Sequence, residues 1–300
     1  ILLVQIHSRM GHVDQALQIC RELRERYPAD AGFLTRIGFQ EGVVHMENGV
    51  SDKAVDAFER MLREYPGSAY AEQALFYISR IRSEQGQLLK AEESFRDLHQ
   101  VYPDSPHLPE IRMDIARLYW HDGKQEQAQA LLDENIRFAD SDAAFRSNLL
   151  LAQLMIDSGQ YDRAHPAFDT MVKRFPEHAG EVLYHQGRLY ESQSSYKQAF
   201  DCYDSALSNG FDSEDLRFKR ALMLEKIGEF ERAVQSYFDV VYQHAQGQEY
   251  LVKSYLRIAQ IYERQKLMDK ARTIYHAVSR MDVAESKYAD ERLRELEASP

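Results

Sequence analysis

The chain has only two cysteines in 300 residues, Cys20 and Cys202. Two thiols so far apart in sequence make neither a disulfide framework nor a thiolate zinc site; both read as packed free thiols, with a single bridge left open. Basic charge is also scarce. Against 48 Asp and Glu stand 37 Lys and Arg, for a net charge of -11. Proteins that bind nucleic acid through its phosphates usually carry the opposite excess, so nucleic acid is not an expected partner. No apolar run approaches the roughly 18 residues of a membrane span, since the opening Ile1-Leu2-Leu3-Val4 is interrupted by Gln5 and His7. None of the 14 glycines belongs to a Gly-x-x-x-x-Gly-Lys phosphate loop or a Gly-x-Ser-x-Gly nucleophile elbow. There is no His-Glu-x-x-His helix, and the 11 histidines are scattered; His178 and His185, two helical turns apart, have no cysteine nearby. These absences predict no catalytic residue, no metal and no cofactor. What remains, 44% hydrophobic and 28% charged, is enough to bury a core.

The strongest signal is an internal repeat. Alanine recurs at Ala16, Ala54, Ala91, Ala128, Ala164, Ala199, Ala233 and Ala271, in steps of 34 to 38 residues. Four residues after each alanine comes an apolar or aromatic side chain: Cys20, Phe58, Phe95, Leu132, Phe168, Tyr203, Tyr237 and Tyr275. That spacing puts both on one helix face. Five residues before the alanine stands Gly11, Gly49, Gly86, Gly123, Gly159 or Gly228, able to close a helix in the left-handed conformation; the two remaining repeats have Ser194 and Lys266. About a dozen residues before it lies a mostly small residue, such as Gly42, Ser79, Ala116 or Gly187, which lets two antiparallel helices approach. A dozen residues after it, Pro28, Pro66, Pro103 and Pro176 stop the second helix, each preceded by Tyr or Phe. Pro166 is expected inside a second helix, in its first turn.

This set of small residue, glycine turn, alanine, aromatic and proline resembles the tetratricopeptide-repeat (TPR) family over about residues 1–283. The resemblance implies an all-α fold: a right-handed superhelical solenoid of about eight helix-turn-helix repeats with a concave groove. The expected division is 1–283 for the array, its first repeat shortened, and 284–300 for a capping helix and tail. In that helix Tyr288, Leu293 and Leu296 are expected to cover the core, with Arg292 among the residues facing water. A chain that starts at Ile1, already inside a repeat, is expected to be trimmed from a longer protein.

In TPR proteins the first helices line the groove. One row of these positions is apolar: Ile1, Phe39, Phe76, Met113, Leu149, Tyr184, Phe218 and Leu256. It reads either as packing between repeats or as a peptide-binding stripe. The next row holds Arg80 and Arg117 in adjacent repeats, near Tyr77 and Trp120, and arginine with aromatic rings is common hot-spot chemistry. Phe39, Phe76, Tyr77, Arg80, Arg117 and Trp120 are therefore the candidate partner-binding residues. The competing reading pairs the arginines with Glu84, Glu110 or Asp114. The inward positions are nearly balanced in sign, so the acidic excess is expected mainly on the outer surface. The carboxylate clamp of TPR co-chaperones is not expected: the corresponding positions lack asparagine, and Lys219, Lys253 and Arg257 form only a partial basic cluster.

The stretch from Tyr65 to Tyr119, with Tyr65-Pro66-Gly67-Ser68 and Tyr102-Pro103-Asp104-Ser105, resembles bacterial envelope TPR proteins such as the outer-membrane-assembly lipoprotein BamD and the Tol-Pal-associated periplasmic protein. Ser68 and Ser105 are expected to begin the following helices. This resemblance implies a non-catalytic scaffold for protein or peptide partners, periplasmic or outer-membrane-associated, in assembly or export, with a cytoplasmic place left open. Two alternatives are a segment of an exopolysaccharide-export system contacting an anionic glycan or its modifying enzyme, and an auxiliary domain of a larger enzyme.

Overall fold

The computed structural model describes residues 1–137, 142–244 and 248–298. Among the described residues all regular structure is helical. The first helices of the repeats are α1 (Leu2–Arg9), α3 (Ala31–Glu47), α5 (Ala71–Glu84), α7 (Leu108–His121), α9 (Asp142–Asp157), α11 (Ala179–Ser192), α13 (Glu214–Lys226) and α15 (Gln248–Arg264). Their partners are α2 (Val13–Arg26), α4 (Ser51–Glu64), α6 (Leu88–Val101), α8 (Gln125–Ile136), α10 (Tyr161–Arg174), α12 (Tyr196–Ser208), α14 (Phe230–Asp239) and α16 (Met268–Ser279), and α17 (Ser286–Ala298) follows. A 3-10 turn, Pro176–His178, leads into α11, and a π-turn, Val240–His244, extends α14. Residues 299 and 300 of the expected tail lie outside the described residues. The chain forms two compact units, Ile1–Leu154 and Met155–Pro300, divided within α9.

The repeat residues do the packing expected of them. All eight alanines from Ala16 to Ala271 are fully buried, and so are the residues four positions on, except the half-buried Phe95. Each fully buried ring or leucine contributes about 1.5–3 kcal/mol relative to exposure. The small residues set the helix separation: a Cβ on Gly42 would lie 2.3 Å from a Phe58 ring carbon, and one on Gly187 would lie 2.5 Å from Tyr203. The six turn glycines have φ of 69° to 87°. Ser194 and Lys266 take the same left-handed conformation, at φ 58° and 59°, although they carry a Cβ. The hydrogen bonds are the same too: Ser195 N–H donates to Tyr190 O and Leu267 N–H to Tyr262 O, both at 2.9 Å, as Gln87 does to Arg82. The turn is thus imposed by the hairpin, and the two substituted repeats bear its strain.

Several local expectations are corrected. Pro166 lies in the second turn of α10, not the first, and the helix continues past it. Ser68 and Ser105 do not cap α5 and α7, whose N-cap residues are Tyr70 and His107. The Ser68 hydroxyl instead reaches the Met61 sulfur at 3.5 Å, and Ser105 Oγ accepts from the His107 N–H at 3.3 Å. Side-chain caps are made by Asp30, accepting from Phe33 N–H at 2.9 Å, and by Ser213, accepting from Leu216 N–H at 3.1 Å. In α17, Ala289, Leu293 and Leu296 are the buried residues, while Tyr288 is exposed. Arg292 does not simply face water, because it ion-pairs with Glu263 on α15.

Candidate functional site

Within the unit Ile1–Leu154, the candidate residues separate into a buried layer and an accessible one. Phe39 and Phe76 are 5% and 6% exposed, and Trp120 is 6% exposed, so burial assigns all three to the core. Phe39 packs on Phe58 and stacks with Tyr70 at 5.0 Å. Phe76 lies under the imidazole of His107, stacked at 4.2 Å, with the Arg80 guanidinium 5.8 Å from its centroid. Tyr77 is half-buried, joins Phe39 and Phe76 through ring contacts, and accepts a hydrogen bond from Gln73 at 3.2 Å. Arg80 and Arg117 reach solvent, with side chains 41% and 49% exposed. Both are paired within the chain: Arg80 with Glu84 at 3.2 Å and Glu110 at 3.5 Å, Arg117 with Asp114 at 2.8 Å. Burial raises the Asp114 carboxyl above its ordinary range, an effect Arg117 opposes. The apolar row is buried or half-buried at every repeat, as packing between repeats requires.

The unit Met155–Pro300 carries a different arrangement that the sequence reading missed. Tyr203, Tyr237 and Tyr275 are fully buried, yet each hydroxyl donates to a glutamate 12 residues earlier on the first helix of its own repeat: Tyr203 to Glu191 at 2.6 Å, Tyr237 to Glu225 at 3.0 Å, Tyr275 to Glu263 at 2.5 Å. Each glutamate also meets a cation from the next element. Lys219 on α13 reaches Glu191 at 3.1 Å, Arg257 and Arg264 on α15 reach Glu225, and Arg292 on α17 reaches Glu263. Burial raises all three phenol pKa values, and the adjoining carboxylates add to the effect, so the hydroxyls stay protonated donors. A fourth carboxylate, Asp215, accepts from Tyr184 at 2.5 Å and Tyr250 at 2.9 Å. A signal for the ladder was present. Glutamate precedes the slot residue by 12 only where that residue is tyrosine; opposite Cys20, Phe58, Phe95, Leu132 and Phe168 stand Ser8, Met46, Ser83, Trp120 and Ile156.

These interactions also account for the partial basic cluster, since Lys219 and Arg257 are tied to the ladder and Lys253 pairs with Glu249 at 2.5 Å. Burial pushes the thiols of Cys20 and Cys202 up to about 12 and about 11, so neither is a thiolate nucleophile near neutral pH. Among the described residues, no three His, Cys, Asp or Glu side chains are grouped to hold a metal ion, and no helix is long and apolar enough to cross a membrane.

Three family models match: a tetratricopeptide repeat-like domain over residues 37–146 and two tetratricopeptide repeat models over 149–214 and 253–280. With the helix pairs and their buried alanines, these matches establish the class: the chain is an all-α tetratricopeptide-repeat protein. No curated protein matches it. Among solved structures, it is similar to a tetratricopeptide repeat protein from Parabacteroides merdae, with 16% identity, a TM-score of 0.51, and 87% of this chain and 98% of that one covered. It is similar to PilW, described as a widely conserved type IV pilus biogenesis factor, with 17% identity, a TM-score of 0.51 and coverages of 73% and 97%. Yeast Tom70 gives a TM-score of 0.58 at 14% identity, with 95% of this chain matched to 59% of that one. Likeness at these identities concerns the fold alone. The more particular resemblance to BamD-type envelope proteins is not confirmed by these matches.

Proposed function

We propose that the protein is a non-catalytic scaffold that holds a peptide segment or partner domain against the first-helix face of its N-terminal unit. TPR folds serve protein interaction, and the observation that carries the local reading is the set of candidate residues on α3, α5 and α7. Phe39 and Phe76, bridged by the half-buried Tyr77, form a buried apolar base, Trp120 is buried on α7, and Arg80 and Arg117 reach solvent where a partner can meet them. The ion pairs of Arg80 are exposed on both sides, so they add little stability and can be exchanged for a partner carboxylate at small cost, while Arg117 reaches solvent from a pair whose acid, Asp114, is largely buried. We read residues 1–283 as one array of eight repeats and 284–300 as its cap and tail. An envelope role in assembly or export, at the periplasmic face of the outer membrane, is supported by the envelope-type phrasing from Tyr65 to Tyr119 and by the likeness to a pilus biogenesis factor. The export-system and enzyme-auxiliary readings draw on no structural feature of their own.

The test is a pull-down from bacterial envelope extract with the wild type and with Arg80→Ala/Arg117→Ala. Selective loss of a captured protein, with unchanged circular dichroism, is the expected outcome. Identical capture by both would remove the arginines from the proposal.

A further inference from the structure

Burial sorts the charges on the first helices of the C-terminal unit. On α11, α13 and α15 the acids of the ladder are withdrawn: the side chain of Glu225 is 4% exposed, that of Glu263 18% and that of Glu191 25%. Their arginines lie further out, with Arg292 at 31%, Arg257 at 40% and Arg264 at 50%, whereas Lys219 at 22% is as withdrawn as Glu191. Two more cations on the same helices, Arg188 and Lys226, are exposed and form no ion pair among the described residues. Residues three and four apart share a helix face, which groups Arg188 with His185 and Ser192 on α11, Lys226 with Lys219 and Leu222 on α13, and Arg264 with Arg257 and Gln260 on α15. The formal charges nearly cancel, and the first turns of α11 and α15 still present acids to water, Glu181 at 36% and Glu249 at 67%, the latter paired with Lys253. Toward the C-terminal turns the charge that reaches water is positive, on a chain whose net charge is -11.

The outermost cations also have a repeated setting. The ammonium of Lys226 lies 5.8 Å from the centroid of Tyr196, the first residue of α12, and the guanidinium of Arg264 lies 5.4 Å from that of Phe230, the first residue of α14. In both cases the last turn of one first helix places a cation over the ring that opens the preceding second helix. A cation near a first-helix C-terminus complements the helix dipole, but the dipole alone does not select an aromatic base under it in two successive repeats. In the other repeats the position of Lys226 and Arg264 holds Arg9, Glu47, Glu84, His121, Asp157 and Ser192.

We propose that this face of α11, α13 and α15 binds an acidic, extended peptide segment of a partner protein, separately from the surface around Arg80 and Arg117. Its carboxylates meet Arg188, Lys226 and Arg264, and its uncharged side chains lie over the intervening Leu222 and Gln260. That interleaving favours a peptide with spaced acids over a polymer charged at every unit.

The experiment measures fluorescence anisotropy of a labelled peptide of four Glu-Gly-Ser triplets against wild type, Arg188→Glu/Lys226→Glu and Arg80→Ala/Arg117→Ala. Arg188 and Lys226 are chosen because neither supports the ladder. Urea denaturation of the first variant at the wild-type midpoint establishes that its fold is kept. The expected result is wild-type binding that weakens with salt, a loss of tenfold or more in Arg188→Glu/Lys226→Glu, little change in Arg80→Ala/Arg117→Ala, and no binding of the matching Lys-Gly-Ser peptide. Absent binding at low salt, or a loss confined to the Arg80/Arg117 variant, overturns the proposal while leaving the scaffold reading intact. Tighter binding of a polygalacturonate oligomer of equal charge, or self-association at this face seen by sedimentation, overturns the peptide assignment.

Discussion

Tyr237 gives the sharpest test of the ladder. Its hydroxyl donates at 3.0 Å to Glu225, whose side chain is almost wholly withdrawn from water. Tyr237→Phe removes one hydrogen bond to a charged acceptor, a bond worth about 1.5–3 kcal/mol. It leaves no cavity beyond the hydroxyl, because Phe58 and Phe168 fill the same slot at full burial in other repeats. Arg257 and Arg264 still hold the carboxylate, which places the expected loss at the lower end, about 1.5–2 kcal/mol. The partner substitution is Glu225→Met, since Met46 stands opposite Phe58 in the second repeat. Methionine is close to glutamate in volume, and the two arginines, being 40% and 50% exposed, can return to water. With Glu225→Met alone, the Tyr237 hydroxyl is buried without its acceptor. Adding Tyr237→Phe to that background should therefore cost nothing, or stabilise. Urea denaturation followed by circular dichroism, with hydrogen exchange across α13 and α14 to register local opening in a repeat protein, measures all four corners of the cycle. A Tyr237→Phe loss below about 0.5 kcal/mol, or an equal loss in both backgrounds, would refute the reasoning.

Other outcomes follow from the packing and the turns. Gly187→Ala drives a Cβ to 2.5 Å from the buried Tyr203 ring and should destabilise by about 1–3 kcal/mol in a urea titration; wild-type stability would contradict the close helix approach. Lys266→Gly relieves a left-handed residue worth about 1–2 kcal/mol, offset by about 0.4–1 kcal/mol of added unfolded-state entropy, so a net gain between zero and about 1.6 kcal/mol is expected and a loss is not. Burial, helped by Arg188, pulls the His185 imidazole from 6.5 down to about 4. The unfolded chain then takes up its proton first, so this residue's contribution is complete above pH 6.5 and is lost as pH falls toward 4, by at most about 3 kcal/mol. His185→Phe should lose less stability than wild type between pH 7 and pH 4.5, and an equal loss would place the acid sensitivity elsewhere.

Much of the fold could be read from the sequence because each repeat states the same packing problem again. The alanines, turn glycines and prolines are local solutions to helix approach, left-handed turns and helix ends, and local solutions leave fixed residue types at fixed spacing. Ser194 and Lys266 show how far that logic reaches: their turns were located by register although their residue types argue against the conformation. The candidate site was less legible. Phe76 and Tyr77 are neighbours in sequence, yet one is core and the other half-open, and that difference depends on His107 packing over Phe76. The arginines and their acidic partners were both legible, Glu84 and Asp114 lying at helical spacing from them; only the pair of Arg80 with Glu110 needs the fold to bring two helices together, and the choice between ion pair and partner contact was left open by the sequence. The ladder escaped for another reason. Its signal is a pairwise association between Glu and Tyr 12 residues apart, invisible when each position is read singly.

The central claim, that the first-helix face holds a protein partner, is tested most directly by site-specific photo-crosslinking. A benzophenone side chain is placed at Arg117 on α7, and in a second protein at the exposed Arg96 on α6, and each is irradiated in envelope extract. The account predicts a discrete protein adduct from position 117 and none from position 96. Adducts from position 96 alone, or the same adducts from both, would contradict it.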